Sequence, residues 1–180
     1  YDGVQTKVYK PSEFHRQNAN PIGNQTHFIA GDKDGNVFFD SDQSLIRYDI
    51  QTQKFSCLRK SNVYTVASIK GTIWVGIADS ILTWNPDKND FDFVTRLENR
   101  NQRATCLLED SGGRYWIGTT DGLFRMNDDK SLTCMIMGED IYDLYEDSKY
   151  NLWISIRMNG MYKRDVHGNF TRYRYDPSNP

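Results

Sequence analysis

Residues 107–127 read LLEDSGGRYWIGTTDGLFRMN, and this stretch decides the fold. An apolar run ends at Asp110, and a glycine pair separates it from a second apolar run at 115–119. Gly122 marks another turn, which leads into a third run at 123–126. Glycines allow chain reversals with φ > 0, and the aromatic and β-branched residues between them favour strands. The stretch therefore predicts three short antiparallel strands that cannot bury both faces alone.

The same unit recurs along the chain. Residues 27–49 align without gaps on residues 105–127, and further copies occupy 63–85 and 141–165. Each copy is followed by a polar turn and a fourth apolar run. One aromatic column fixes the register, with intervals of 36, 42 and 37 positions by subtraction between Phe38, Trp74, Trp116 and Trp153.

This period distinguishes between two repeat architectures. About 40 residues with four strands per unit is typical of β-propeller blades, which stack around a common axis. Tandem amphipathic helices have a similar period, but turn residues interrupt this sequence about every ten positions, which is too often for helices. We therefore predict an all-β fold, a partial β-propeller of about four four-stranded antiparallel blades plus one orphan outer strand.

The repeats also set the expected boundaries. Residues 1–24 should hold the outer strand of a preceding blade, from Lys7 to Lys10, followed by a connection. Residues 176–180 should begin a linker to a further blade, so we expect a piece of a longer protein whose targeting signal lies elsewhere. The four predicted blades are 25–60, 61–98, 99–137 and 138–175.

Residues that recur at matching places in the repeats are predicted to shape the blades. Aspartates before the first turn should accept hydrogen bonds from its backbone N–H groups, which favours a structural role over acid–base chemistry. The column aromatics should pack between successive sheets. The predicted structural positions are Asp32, Gly35, Phe38, Trp74, Asp110, Gly113, Trp116, Gly122, Asp147, Trp153 and Gly160.

The composition narrows the functional class. Apolar residues make up 38% of the chain, and the formal net charge is −2 with no basic block, so nucleic acid is not an expected partner. No apolar run approaches the roughly 20 residues of a membrane-spanning helix.

Cysteine and histidine positions predict neither disulfides nor a metal site. In the strand model, Cys106 and Cys134 lie on the inner and outer strands of one blade, about 14 Å apart, and Cys57 lies two blades away. All three thiols should therefore be free. No metal-ligand spacing relates the histidines, His15, His27 and His167, and we predict no metal, cofactor or catalytic residues.

The third copy resembles the regulatory propeller repeats in the sensor region of hybrid two-component systems from gut Bacteroidetes. That resemblance implies a periplasmic sensor of oligosaccharides, joined through a membrane helix to a histidine kinase. Phe38 and Asp40 in the first copy, and Tyr150 and Ser155 in the fourth, depart from the family pattern and leave their turn geometry open. The matching residues are Glu109, Asp110, Gly113, Trp116, Ile117, Gly118, Thr119, Gly122, Leu123, Phe124 and Arg125.

A ligand site should use residues that do not repeat. Propellers bind ligands at one end, on loops between second and third strands or between blades. Aromatic faces suit sugar rings, and planar polar groups suit hydroxyls. The candidate ligand-binding residues are Tyr64, Asp79, Arg103, Asp121, Tyr142, Arg157 and Asn159.

Three functions remain open from the sequence. The first is a ligand-sensing segment of a sensor kinase that detects an oligosaccharide and controls transcription of glycan-use genes. The second is a structural or dimerising segment without ligand contacts of its own. The third is a propeller lyase, which would need a clustered acid, base and metal that the sequence does not supply. The expected partners are a glycan, the remaining blades of the parent chain and a second copy in a homodimer.

Overall fold

The computed structural model describes residues 25–42 and 44–175. Within these ranges every regular element is a β-strand, and the strands form four antiparallel sheets of four. No helix in the described ranges is long and apolar enough to cross a membrane. The strands are β1 (Ile29–Gly31), β2 (Val37–Ser41), β3 (Ser44–Asp49), β4 (Lys54–Lys60), β5 (Val63–Ile69), β6 (Thr72–Ile77), β7 (Ser80–Asn85), β8 (Asp90–Arg96), β9 (Ala104–Glu109), β10 (Tyr115–Thr119), β11 (Gly122–Met126), β12 (Leu132–Met137), β13 (Ile141–Glu146), β14 (Leu152–Ile156), β15 (Met161–Arg164) and β16 (Phe170–Tyr173).

The connectivity confirms the predicted fold class. In every sheet the four strands pair in chain order, and the first strand of each sheet contacts the first strand of the next, from β1 through β5 and β9 to β13. The first strands are therefore innermost, and each sheet is one blade of a partial β-propeller. The predicted strand from Lys7 to Lys10, its connection, and the linker at 176–180 lie outside the described residues.

The hydrophobic core lies between successive blades. Phe38 of the first blade contacts Trp84 of the second edge-on, with ring centroids 5.3 Å apart. Trp74 of the second blade stacks on Tyr115 of the third at 5.0 Å. Trp116 packs into the core shared by the third and fourth blades. Each of these column aromatics therefore faces the following blade, as the sequence predicted, whereas Trp153 in the fourth blade is only partly buried.

The aspartates before the first turns cap those turns. Asp110 Oδ1 accepts hydrogen bonds from the backbone N–H groups of Gly112 and Arg114, each at 3.0 Å. Asp147 does the same for its own turn and also accepts the indole N–H of Trp153 at 2.8 Å. This confirms the predicted capping role of the two aspartates.

Tyr150 keeps the turn geometry that its departure from the repeat left open. Its φ is 63°, close to the 76° of Gly113 at the matching place. Its N–H donates to the carbonyl of Asp147 at 2.9 Å, as the N–H of Gly113 donates to the carbonyl of Asp110. The same turn therefore forms without glycine, with the side chain of Tyr150 exposed.

Neighbouring blades are also joined through their first turns, which the sequence did not reveal. Glu109 of the third blade pairs with Lys70 in the first turn of the second. Glu146 of the fourth blade accepts hydrogen bonds from the backbone N–H and the hydroxyl of Ser111 in the third, at 2.7 and 2.9 Å. In the third and fourth blades, the glutamate before the capping aspartate therefore holds the preceding blade.

Candidate functional site

A groove of about 830 Å³ runs along the innermost strands of the second, third and fourth blades. Its walls are formed by residues of β5, β9 and β13, and it includes His27 and Phe28 from just before β1. Four of the seven predicted ligand-binding residues line this groove: Tyr64, Arg103, Tyr142 and Arg157.

Three β-bulges determine which side chains enter the groove. In β5, Val63 pairs with Ile77 and Thr65 with Gly76, so Tyr64 between them has no paired residue on β6. The register shifts in β9 and β13 leave Thr105 and Tyr142 unpaired in the same way. A bulge adds one residue to a strand and redirects its side chain. The same backbone irregularity thus presents a different side chain from each of these three blades.

The first aromatic–guanidinium pair crosses a blade boundary. The Arg103 guanidinium, from the loop before β9, lies over the Tyr64 ring with its Cζ 4.9 Å from the centroid. Burial raises the pKa of Tyr64, but hydrogen bonding to Arg103 and Asn62 and the charge of Arg103 outweigh it, so the pKa lies below its usual range. Arg103 and Asn62 therefore hold the Tyr64 hydroxyl in place at the edge of the groove.

The second pair lies within the fourth blade. The Arg157 guanidinium, from the turn after β14, lies over the Tyr142 ring at 4.9 Å. Its Nε also donates to Asp140 Oδ2 at 2.9 Å, which fixes the direction of the guanidinium. Tyr142 remains 58% exposed, so much of its surface is available to a ligand.

Thr105 and His27 also line the groove, and sequence reasoning did not select either of them as a ligand-binding residue. The hydroxyl of Thr105 donates to the carbonyl of Ile141 at 2.6 Å and thereby ties the third blade to the residue before Tyr142. In the first blade, the buried carboxylate of Asp40 accepts the backbone N–H groups of His27 and Phe28, each at 2.7 Å, and contacts the His27 ring. The alignment of the repeats contained a signal for these two residues, because His27 aligns with Thr105 and both line the groove.

The other three predicted residues lie outside the groove lining. Asp79 is 3.7 Å from Arg96 Nε, and its carbonyl accepts the N–H of Leu97 at 2.7 Å. The carbonyl of Asp121 accepts the N–H of Gly138, and the amide of Asn159 donates to Glu139. In the structure these three residues hold loops together at the same end of the blades.

The groove offers hydrogen-bond donors and aromatic surfaces but no activated thiol. Burial raises the pKa of Cys106 to about 12, so this thiol stays protonated at neutral pH. All three cysteines are free. Across 25–42 and 44–175, no group of three or more His, Cys, Asp or Glu side chains is arranged to hold a metal ion. The arrangement is therefore suited to binding a polar ligand.

A family comparison agrees with the resemblance predicted from the third repeat. Residues 100–121 match the family model described as two component regulator propeller. This range includes Arg103 and the bulged residue Thr105 of the groove, as well as the column residue Trp116. The predicted resemblance is thus confirmed. No curated protein matches the chain by sequence.

Solved structures of similar fold include the extracellular domains of two hybrid two component systems from B. thetaiotaomicron. The extracellular domain of the hybrid two component system BT4673 is 20% identical with a TM-score of 0.74, over 91% of this chain and 24% of that chain. The corresponding domain of BT3049 is 19% identical with a TM-score of 0.74, over 94% of this chain and 24% of that chain. The chain thus spans about a quarter of either domain, and at these identities the likeness shows the propeller fold.

An enzyme shares the fold as well. Virginiamycin B lyase from Staphylococcus aureus is 16% identical with a TM-score of 0.67, over 86% of this chain and 58% of that chain. The fold therefore occurs both in extracellular domains of two component systems and in an enzyme, and function has to be argued from the groove.

Proposed function

We propose that this chain is a ligand-sensing propeller segment of a membrane-bound hybrid two-component sensor kinase. In this proposal the segment lies in the periplasm, detects an oligosaccharide, and signals to control transcription of glycan-use genes. The match of residues 100–121 to two-component regulator propellers and the likeness to extracellular sensor domains support the class of protein. The side chains that line the groove support an oligosaccharide as the ligand.

The convergence of two tyrosine–arginine pairs on one groove carries the proposal. Aromatic rings bind the apolar faces of sugars, and a guanidinium donates two parallel hydrogen bonds to neighbouring oxygens. Tyr64 and Tyr142 lie two blades apart along the same groove, each with its own arginine. This spacing suits a ligand with at least two sugar rings better than a monosaccharide.

A ligand bound in this groove would favour particular relative positions of the second, third and fourth blades. Tyr64 belongs to the second blade, Arg103 precedes the third, and Arg157 belongs to the fourth. A ligand that contacts all three favours the arrangement of blades that brings them closest together. Binding can shift a conformational equilibrium by no more than the difference between its affinities for the two states. The groove thus provides a place where occupancy could be converted into a signal.

The test is binding of a broad glycan panel to the full natural protein that contains this chain, measured by calorimetry. We expect Arg103→Ala and Arg157→Ala each to weaken binding of the recognised glycan by about tenfold or more, since each removes hydrogen bonds from a charged donor. Arg59→Ala is the matched control, because Arg59 also lies over an aromatic ring, that of Phe91, but outside the groove. Unchanged affinity in both groove variants, or no binding by any glycan, would contradict the proposal.

One observation favours the alternative of a structural or dimerising segment. On the fourth blade, Tyr145 and Met161 are exposed, and together with the partly buried Trp153 they border a small apolar depression. The matching face of each preceding blade is covered by its neighbour. A further blade or a second copy could cover this face as well. Under this alternative, Tyr145→Ser would alter oligomeric state or stability of the full natural protein while leaving glycan binding unchanged.

A further inference from the structure

A second pocket lies at the opposite end of the third blade. β10 runs along this blade, and Thr120, just after its C-terminal end, lines the ligand groove. Arg114 and Tyr115, at the N-terminal end of β10, line the second pocket, which has a volume of about 320 Å³. Arg125 and Lys130 complete its cationic lining. We refer to the space between Arg114, Arg125 and Lys130 as the basic pocket.

Arg47 in the first blade occupies the position equivalent to Arg125 in the third, so the surroundings of the two side chains can be compared. Arg47 in β3 lies opposite Phe38, as Arg125 in β11 lies opposite Trp116, so the two arginines hold the same position in their blades. Arg47 Nη2 donates to Asp49 Oδ2 at 2.8 Å, and its Nη1 donates to Asn89 Oδ1 at 3.2 Å. In the first blade this arginine is therefore neutralised and hydrogen-bonded by the protein itself.

In the third blade, no acidic residue occupies the position of Asp49, the residue that neutralises Arg47 in the first blade. The residue that aligns with Asp49 is Asn127, a neutral amide. Its amide group donates to the hydroxyls of Ser131 and Thr133 at 2.8 and 3.0 Å. The side chain of Arg125 is partly buried and has no hydrogen-bond acceptor or ion-pair partner in the part of the chain that the structure describes. Arg125 thus retains a guanidinium with no anion to bind.

The other charges near the basic pocket do not replace the missing acid. Arg114 is paired with Asp110 at 2.7 Å, and Lys130 lies over the Tyr115 ring at 6.0 Å. Asp128 is the one carboxylate in the lining of this pocket, and it forms no ion pair with these cations within the described ranges. The pocket therefore keeps an excess of positive charge.

Arg164 of the fourth blade lies near these cations. Arg164 lies over the Trp116 ring at 5.3 Å. Burial lowers the pKa of Arg164 below its usual value, and repulsion from Arg114 and Arg125 acts in the same direction, against attraction by Asp110. An anion bound between these side chains would relieve the repulsion.

We propose that the basic pocket binds a tetrahedral oxyanion, sulfate or phosphate, either as the free ion or as the ester group of a sugar. A guanidinium presents two parallel N–H donors that match two oxygens of such a group, which makes Arg125 the central ligand. Lys130 and the free donors of Arg114 contact the remaining oxygens. The volume of about 320 Å³ exceeds what one free ion fills and leaves space for part of an attached sugar.

The experiment compares anions at constant ionic strength in the full natural protein. Inorganic sulfate, inorganic phosphate and a monosaccharide sulfate ester are each titrated against chloride while the melting temperature and the arginine Nε–H NMR signals are recorded. We expect a saturable rise in melting temperature and a saturable shift of the Arg125 signal. Tighter binding of the ester than of free sulfate identifies an esterified sugar as the ligand, and equal affinities identify the free ion.

Three variants distinguish specific anion binding in the basic pocket from general effects of salt on stability. Asn127→Asp should supply the carboxylate that Asp49 gives to Arg47, and it should abolish the saturable response while keeping the fold. Arg125→Lys should weaken binding by about tenfold, since it keeps the charge but loses the paired donors. Arg47→Gln should leave the response unchanged. Unchanged affinity in Arg125→Lys together with a saturable response in Asn127→Asp, or no saturable response to any of the three anions, would overturn the proposal.

Discussion

Replacing Asp110 by alanine is expected to lower the free energy of unfolding by about 4 kcal/mol, because each unpaired buried donor costs roughly 1–3 kcal/mol. Asp110 is 5% exposed, and its two oxygens accept four hydrogen bonds. Two come from the backbone N–H groups of Gly112 and Arg114, one from Arg114 Nε, and one from Trp116 Nε1 at 2.8 Å. Since Trp116 is fully buried, its indole N–H loses its acceptor at a site with little access to water.

Asp147→Ala is the matched comparison for this prediction. Asp147 caps the same turn in the fourth blade and accepts the indole N–H of Trp153 at the same distance of 2.8 Å. Trp153 is only partly buried, so water can hydrate its indole when the carboxylate is removed. Denaturant unfolding of both variants should therefore show the larger loss in Asp110→Ala. Equal losses would mean that burial of the indole does not set the contribution of the cap.

The fold was predictable from the sequence because its repeats carry redundant local signals. The turn at Gly113 is specified by the capping aspartate as well as by the glycine. That redundancy explains why the equivalent turn forms with Tyr150, whose φ of 63° is normally unfavourable for a large side chain. The predicted run at 115–119 coincides with β10, since apolar residues between two turns leave little freedom in its bounds.

The site was only partly predictable, because it depends on register and on contacts between blades. The rule that ligand residues do not repeat selected Tyr64 and Tyr142, but the bulges that aim them into one groove follow from hydrogen bonds between strands. The contact of Arg103 with Tyr64 requires the second and third blades to be packed together. The same rule also selected Asp79, which contacts Arg96 and Leu97 and does not line the groove. The sequence of a loop alone does not show which of its side chains point into the groove.

The two ends of the third blade illustrate how one repeat can present different sets of side chains in different pockets. The residues that build the blade, such as Asp110 and Trp116, are fixed by the hydrogen bonds between them. Positions beside them are free to vary, and the change from Asp49 in the first blade to Asn127 in the third alters the charge of a pocket without altering the strand pairing. Differences between repeats are therefore the best guide to function in such a chain.

Replacing Gly122 by alanine is expected to lower the free energy of unfolding by about 3 kcal/mol, from steric overlap and a strained backbone together. Gly122 opens β11 with a φ of 149°, a conformation that residues with a side chain rarely adopt. A Cβ at this position would overlap the carbonyl oxygen of Ile136 on β12. Because that oxygen belongs to the neighbouring strand, relief of the overlap would require β11 and β12 to separate. Denaturant unfolding of the variant measures the loss.

Gly138→Ala separates the steric part of this loss from the conformational part. Gly138 also has a positive φ, of 73°, but a Cβ there would have no atom within 4 Å. This variant should lose only about 1 kcal/mol, which is the usual cost of a left-handed conformation for alanine. Gly160→Ala, whose Cβ would overlap the carbonyl oxygen of Tyr173 on β16, should instead resemble Gly122→Ala. If Gly138→Ala is as damaging as the other two, then backbone strain, and not contact with the fourth strand, explains why glycine occupies this place in the repeat.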